Sequence, residues 1–170
     1  MSAVAVIDSL EFARGQQQLQ GSLPVESLQR LEDVLFDSQG SLNYEVRGRL
    51  DERNRPRLAL KISGNLHLQC QRCLERLEYD VAVLNTLLLA PPGQQVDENI
   101  DDPDAPDVIE ASPELDLAGL IEDEVLLSLP LAPRHAEGAC ESRLARSTDA
   151  AGRPSPFAQL AGLKRPRNTR

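Results

Sequence analysis

The residues from Leu58 to Leu89 constrain the fold most, because apolar positions recur at every second residue on both sides of Cys70-Gln71-Arg72-Cys73. Leu58, Leu60, Ile62, Leu66, Leu68 and Cys70 share one parity; Lys61, Ser63, Asn65, His67 and Gln69 hold the other. Beyond the cysteines, Leu77, Tyr79, Val81 and Val83 resume the alternation. A period of two puts each apolar set on one face of a strand. The two cysteines therefore stand at a reversal between strands, where two thiolates can converge on one ion. Because the parity survives Gly64, Arg57 to Cys70 is expected to be one long strand bulged at that glycine, rather than a hairpin turning at Gly64-Asn65.

The rest of the chain is placed around this ribbon. Asp8 to Arg14 suits a short helix capped by Asp8, with Glu11 three residues on. Gln16 to Leu23 alternates weakly, as a first strand would. Pro24 opens a run with Val25, Leu28, Leu31, Val34 and Leu35 at three- and four-residue steps, which predicts a helix from Pro24 to Leu35. Leu42, Tyr44, Val46, Gly48 and Leu50 give another strand, and the polar stretch Asp51 to Pro56 gives the turn after it. Pro91-Pro92-Gly93 ends the strand that begins near Leu77. Residues 94–113, rich in Asp and Pro, read as a mobile acidic loop touching the body only near Val108-Ile109.

Asp116 caps a second helix, reaching Leu129 before Pro130, with Leu117, Leu120, Ile121, Val125 and Leu127 as its buried stripe. Glu124 falls inside that stripe, where a carboxylate needs a partner, and Arg72 is the first candidate; the alternative is that Glu124 lines the stripe's edge. The fold class that follows is α+β: an antiparallel sheet of four or five strands packed against two main helices. Residues 1–140 form one domain, 141–155 a linker, and 156–170 a short docking helix (Phe157, Leu160, Ala161 and Leu163) with a basic tail.

Charge narrows the partners. The net charge is −9, and no Lys or Arg lies between Arg76 and Arg134, a span with fourteen acidic residues from Glu78 to Glu124. Lys164, Arg165, Arg167 and Arg170 reverse the sign at the end and are candidate RNA contacts. Without a uniformly basic face, tight wrapping of nucleic acid by the body is disfavoured. The acidic run suits either a solvated loop or a surface for basic proteins. No apolar run approaches the roughly 18–20 residues that cross a bilayer. No basic-then-apolar leader opens the chain, so a cytosolic protein without membrane contact is expected.

Three cysteines are an odd count, which speaks against a disulfide framework and for metal or thiol chemistry. Cys70 and Cys73, with His135 and Cys140, supply the ligand types of a structural Cys3His zinc site. Two alternatives stay open. Buried cysteines also serve as small hydrophobes, and a CxxC pair can be redox-active, although such a motif opens a helix and this one joins two strands. His67, on the polar face of its strand, is expected to be solvated. Glu122, Asp123 and Glu124 point three ways on a helix and cannot share one Mg²⁺. No GxSxG, P-loop, dinucleotide or HExxH motif is present. Only Tyr44 and Tyr79 are available on strands for base stacking.

Four separated segments resemble one known family. They are Gln69 to Cys73; Leu115-Asp116-Leu117 with Glu122-Asp123-Glu124; Leu127 to His135, ending Leu-Pro-Leu-Ala-Pro-Arg-His; and Pro156-Phe157-Ala158 with Leu160 and Leu163-Lys164. In that order they resemble the YceD family, the large ribosomal RNA subunit accumulation proteins of bacteria and chloroplasts. The resemblance implies a non-enzymatic role in the synthesis, processing or stability of 23S rRNA and in large-subunit assembly. Its partners would be 23S rRNA or its precursor, reached directly or indirectly, and basic large-subunit ribosomal proteins. The alternative is a zinc- or thiol-dependent enzyme acting on RNA. The Asp/Pro-rich loop and the Arg-rich extension after Lys164 depart from the family pattern without touching the matched segments.

Overall fold

A computed structural model describes residues 6–93 and 106–140. In chain order it holds β1 (Val6–Ile7), α1 (Ser9–Arg14), β2 (Gln18–Pro24), two 3₁₀ turns (Val25–Ser27 and Gln29–Val34), β3 (Ser41–Leu50), β4 (Pro56–Gln69), β5 (Arg76–Ala90), β6 (Val108–Glu110), β7 (Leu115–Asp116) and α2 (Leu117–Ser128). The main sheet has the order β2-β3-β4-β5-β6, and β1 pairs with β7 in a separate two-stranded ribbon. The expected linker and docking helix, the four basic tail residues and the acidic stretch 94–105 lie outside the described residues.

The alternation read around the cysteines is the spine of this sheet. β4 and β5 pair antiparallel from Arg57↔Leu88 to Gln69↔Arg76. Leu58, Leu60, Ile62, Leu66 and Leu68 are buried with Val81, Val83, Leu87 and Leu89. The core forms two adjoining groups: one joins Leu31, Leu42, Ile62 and Leu66 to Ile121 and Val125 of α2. The other joins Phe12 and Ala13 of α1 to Val46, Leu58, Leu60 and Leu117. One face of the sheet is thus covered by helices and 3₁₀ turns, and the opposite parity is exposed or half-buried except at Leu88 and Ala90 beside β6.

Five expectations are corrected. The sheet is mixed, not purely antiparallel, because β6 lies parallel to β5 (Leu88↔Val108 to Ala90↔Glu110). A parallel neighbour needs a long connection, and residues 91–107 supply it. Within the stretch read as loop, β6 is therefore sheet edge. The run from Pro24 to Leu35 makes no α-helix: Val25, Leu28 and Leu31 repeat at three residues, the 3₁₀ period, and Leu28 (φ −97, ψ 82) interrupts it. No bulge occurs at Gly64, whose register runs unbroken through Leu42↔Gly64 and Gly64↔Val81. A Cβ there would lie 2.7 Å from both Leu42 Cδ2 and Ser41 O, so the glycine admits a close crossing by β3 rather than an extra residue. In α2 the stripe of Leu117, Leu120, Ile121 and Val125 is buried, but Leu127 at its margin is 82% exposed. Finally, His67 is not solvated: Asp37 and Arg76 hold its two ring nitrogens at 2.6 and 2.9 Å.

Candidate metal centre

The centre is built by two short segments. In the first, β4 and β5 are joined by a tight reversal in which Leu74 N–H donates to the Cys70 carbonyl (2.8 Å) and Cys70 N–H to the Glu75 carbonyl (3.0 Å). Leu74 takes a positive φ of 61°, the left-handed step that turns the chain back into β5. Both cysteines of the turn are buried. The second segment follows α2. Pro130 stops the helix and the chain bends at Leu131 and Ala132, where an extended run was expected, to reach the buried Pro133, whose carbonyl accepts from Gln71 N–H at 2.9 Å. That bond ties the strap directly to the reversal. A turn closed by Ala139 N–H on the Ala136 carbonyl, with Gly138 at φ 83°, then brings Cys140 round.

The two segments bring Cys70, Cys73, His135 and Cys140 together, with their ligand atoms all within 4.8 Å of one another. The Cys70–Cys140 sulfur separation is 3.8 Å, and Cys73 Sγ lies 3.5 Å from His135 Nδ1. A tetrahedron with Zn–S near 2.3 Å and Zn–N near 2.0–2.1 Å has S–S edges of about 3.8 Å and S–N edges of about 3.5 Å. A disulfide needs sulfurs about 2.05 Å apart, and all three cysteines are free.

The surroundings suit anionic ligands. Burial pushes the Cys70 thiol up, but the backbone N–H groups of Cys73, His135 and Arg72 outweigh it and bring the thiol down to about 5. Burial opposes ionisation of Cys140 as well, and Cys73, the Arg72 guanidinium and His135 more than offset it, so that thiol is also lowered. Cys73 behaves oppositely. The Glu75 N–H draws it down, yet burial and the sulfurs of Cys140 and Cys70 push it up to about 11. Three sulfurs so close cannot all ionise without a compensating cation. His135 is raised by the Cys140 and Cys70 sulfurs. Its Nε2 lies 2.9 Å from the Arg76 carbonyl, which can only accept, so Nε2 carries the proton and Nδ1 is the ligand atom.

The expected pair of Arg72 and Glu124 does not form. Arg72 is exposed and serves the cysteines, whereas buried Glu124 accepts from Asn85 Nδ2 at 2.9 Å. β5 offers its own acceptor-matched amide to α2, so the helix carboxylate has no need of a cation from the reversal. Glu122 is buried too and accepts from the N–H groups of Arg30 (2.6 Å) and Leu31 (3.3 Å). Asp123 pairs with Arg30 at the surface. The acidic triplet therefore divides among three tasks and gathers at no ion.

No helix among the described residues is long and apolar enough to cross a membrane. No solved structure matches the chain. A family profile described as "Large ribosomal RNA subunit accumulation protein YceD" matches residues 58–164, a span that contains all four clustered ligands. A relative of that same name from Haemophilus influenzae (strain ATCC 51907 / DSM 11121 / KW20 / Rd) is 30% identical over 170 residues, covering 93% of this chain and 94% of its own length. With its central ribbon, metal-type cluster and C-terminal segment all inside the match, the chain belongs to the YceD family.

Proposed function

We propose that this chain is a ribosome-biogenesis factor that supports accumulation of large-subunit (23S) rRNA in the cytoplasm, acting as a folded adaptor and performing no reaction. The observation that carries this reading is membership of a family described as large ribosomal RNA subunit accumulation proteins, with the profile matching residues 58–164 and the Haemophilus relative aligning over 93% of the chain. The Cys3His cluster holds a structural zinc ion in this reading. Four protein ligands close a tetrahedron and leave no position for a substrate or a reactive water, the mark of a structural rather than a catalytic site. The ion would lock the strap behind α2 onto the β4–β5 reversal, and its charge would let all three thiols ionise. The exposed acids of the stretch without Lys or Arg, among them Glu78, Asp80, Asp107, Glu110 and Glu114, are in this reading the charge offered to basic ribosomal proteins.

Depletion of the protein followed by comparison of 23S with 16S rRNA tests the functional reading. A selective fall in 23S is expected, and equal ratios in depleted and normal cells remove it. Elemental analysis of the purified protein tests the metal. One zinc per chain is expected, falling to none in His135→Ala, and a metal-free native protein with free thiols ends the zinc assignment.

A further inference from the structure

The parity of the sheet that faces water carries a cluster of cations that the net charge of −9 conceals. From Glu45 to Lys61 there are six cations (Arg47, Arg49, Arg53, Arg55, Arg57 and Lys61) against three acids. Arg47, Arg49, Arg57 and Lys61 line one open groove of about 760 Å³, floored by β3, β4 and β5 and bordered by Leu84 and Thr86. Arg49 and Arg57 are direct cross-strand partners. Like charges set opposite one another destabilise a sheet pair, so this arrangement costs stability and calls for an anion. Arg57 is met by Asp51, and Arg47 by Glu45. Among the described residues, Arg49 and Lys61 make no ion pair, and both are exposed. Two carboxylates line the groove among the described residues and both are engaged, Glu45 by Gln18 and Arg47, Asp107 by Asn85; Glu45 is also the cross-strand neighbour of Lys61.

The geometry points to this groove as a docking surface for the sugar–phosphate backbone of duplex RNA, with Arg49 and Lys61 as its free phosphate contacts. The partner's polyanionic character follows from the groove itself; the choice of RNA over an acidic protein rests on the functional reading above. The surface is rich in guanidinium, which matches phosphate bidentately. Among the described residues no aromatic side chain lines it, so it offers no platform on which unpaired bases could stack. A backbone-reading surface without stacking platforms suits a helix recognised by shape rather than a single strand read by its bases. It also shifts the expected RNA contact from the tail to the body of the protein.

The test uses full-length, zinc-supplemented protein and fluorescence anisotropy with a labelled mixed-sequence RNA duplex of about 20 base pairs, long enough to cover the face. Joint Arg49→Glu and Lys61→Glu substitution is expected to weaken binding at least tenfold at moderate salt. Joint Arg49→Gln and Lys61→Gln substitution should reduce the slope of log affinity against log salt by about 2, one per lost phosphate contact. Arg49→Glu relieves the opposition of Arg49 and Arg57, whereas Lys61→Glu sets a second acid opposite Glu45. The Gln double variant, which removes no ion pair and whose melting temperature should hold or rise, therefore controls for folding, and Arg14→Glu on α1 should bind as the unaltered chain does. Undiminished affinity in the Glu double variant overturns the proposal. So does tenfold tighter binding of the corresponding single strand, or displacement of the duplex by polyglutamate at matched charge. Loss of all binding when Lys164, Arg165, Arg167 and Arg170 become Gln, with none lost in the groove variant, returns the contact to the tail and overturns it as well. Each of these outcomes leaves the depletion experiment untouched, so the surface and the cellular function can fail separately.

Discussion

Glu122 shows how a single carboxylate can look functional and be architectural. Only 7% exposed, it accepts the backbone N–H groups of Arg30 and Leu31 at the start of the second 3₁₀ turn, joining α2 to a segment 91 residues away. Glu122→Ala would strand these donors, and burying an unsatisfied group costs about 1–3 kcal/mol. Denaturant titration should show that loss, with Glu122→Gln recovering most of it because the amide oxygen still accepts. Asp51 is the counterpart at the other end of the sheet. Burial raises its carboxyl, but the N–H groups of Arg55 and Arg53 and the guanidinium groups of Arg55 and Arg57 hold it well below the usual carboxylate range. A lowered folded-state pKa gives stability that is fully present above the unfolded value near pH 4 and disappears as pH falls below it. Asp51→Asn should therefore be less stable than the unaltered chain at neutral pH. The difference between their unfolding free energies should narrow on acidification; a constant gap between about pH 6 and pH 2 would contradict the assignment.

At the scale of elements, the close approach of α1 to β3 hinges on Gly48. An added Cβ would meet Phe12 O at 2.2 Å and Ala13 Cα at 2.7 Å, both backbone atoms that cannot swing aside. Gly48→Ala is expected to displace α1 and lower stability by about 2–4 kcal/mol, as overpacking against fixed backbone does. A loss under about 0.5 kcal/mol in thermal or denaturant unfolding would show that α1 is free to retreat. The strands β3, β4 and β5 were legible because alternation, unlike propensity, reports directly on which face is buried. The 3₁₀ segment was not, since Val25, Leu28, Leu31, Val34 and Leu35 satisfy both three- and four-residue steps; the buried members keep only the former. β6 and β7 were missed because three and two residues are too short for any period to register. The four metal-type ligands were legible, as few residues besides Cys and His perform that chemistry. The cationic groove was hidden for the opposite reason: its charges are spread along alternate positions of two strands, and a whole-chain sum of −9 cancels them.

At the scale of the whole molecule, the strap from Pro130 to Cys140 is held, among the described residues, by Gln71 to Pro133, His135 to Arg76, and the clustered ligands. Removal of the proposed zinc should free it. A strong chelator is expected to lower the melting temperature and to expose a protease site between residues 130 and 140, with the sheet's circular dichroism retained below the new midpoint. Unchanged proteolysis after chelation would mean that protein contacts alone fix the strap. The groove should be indifferent to this treatment. Salt at physiological strength screens charges beyond about 8 Å, and sites that share no partners combine additively. His135→Ala and the Arg49/Lys61 double substitution should therefore show effects that sum within about 0.5 kcal/mol.

That separation is set by β4, whose first residues floor the groove and whose last hands over to Cys70. Thirteen extended steps from Arg57 to Cys70, at about 3.3 Å each, put roughly 40 Å between the ends. A single strand is thus a spacer bar. Whatever is held at one tip stands at a fixed reach from whatever meets the other, with no hinge between them.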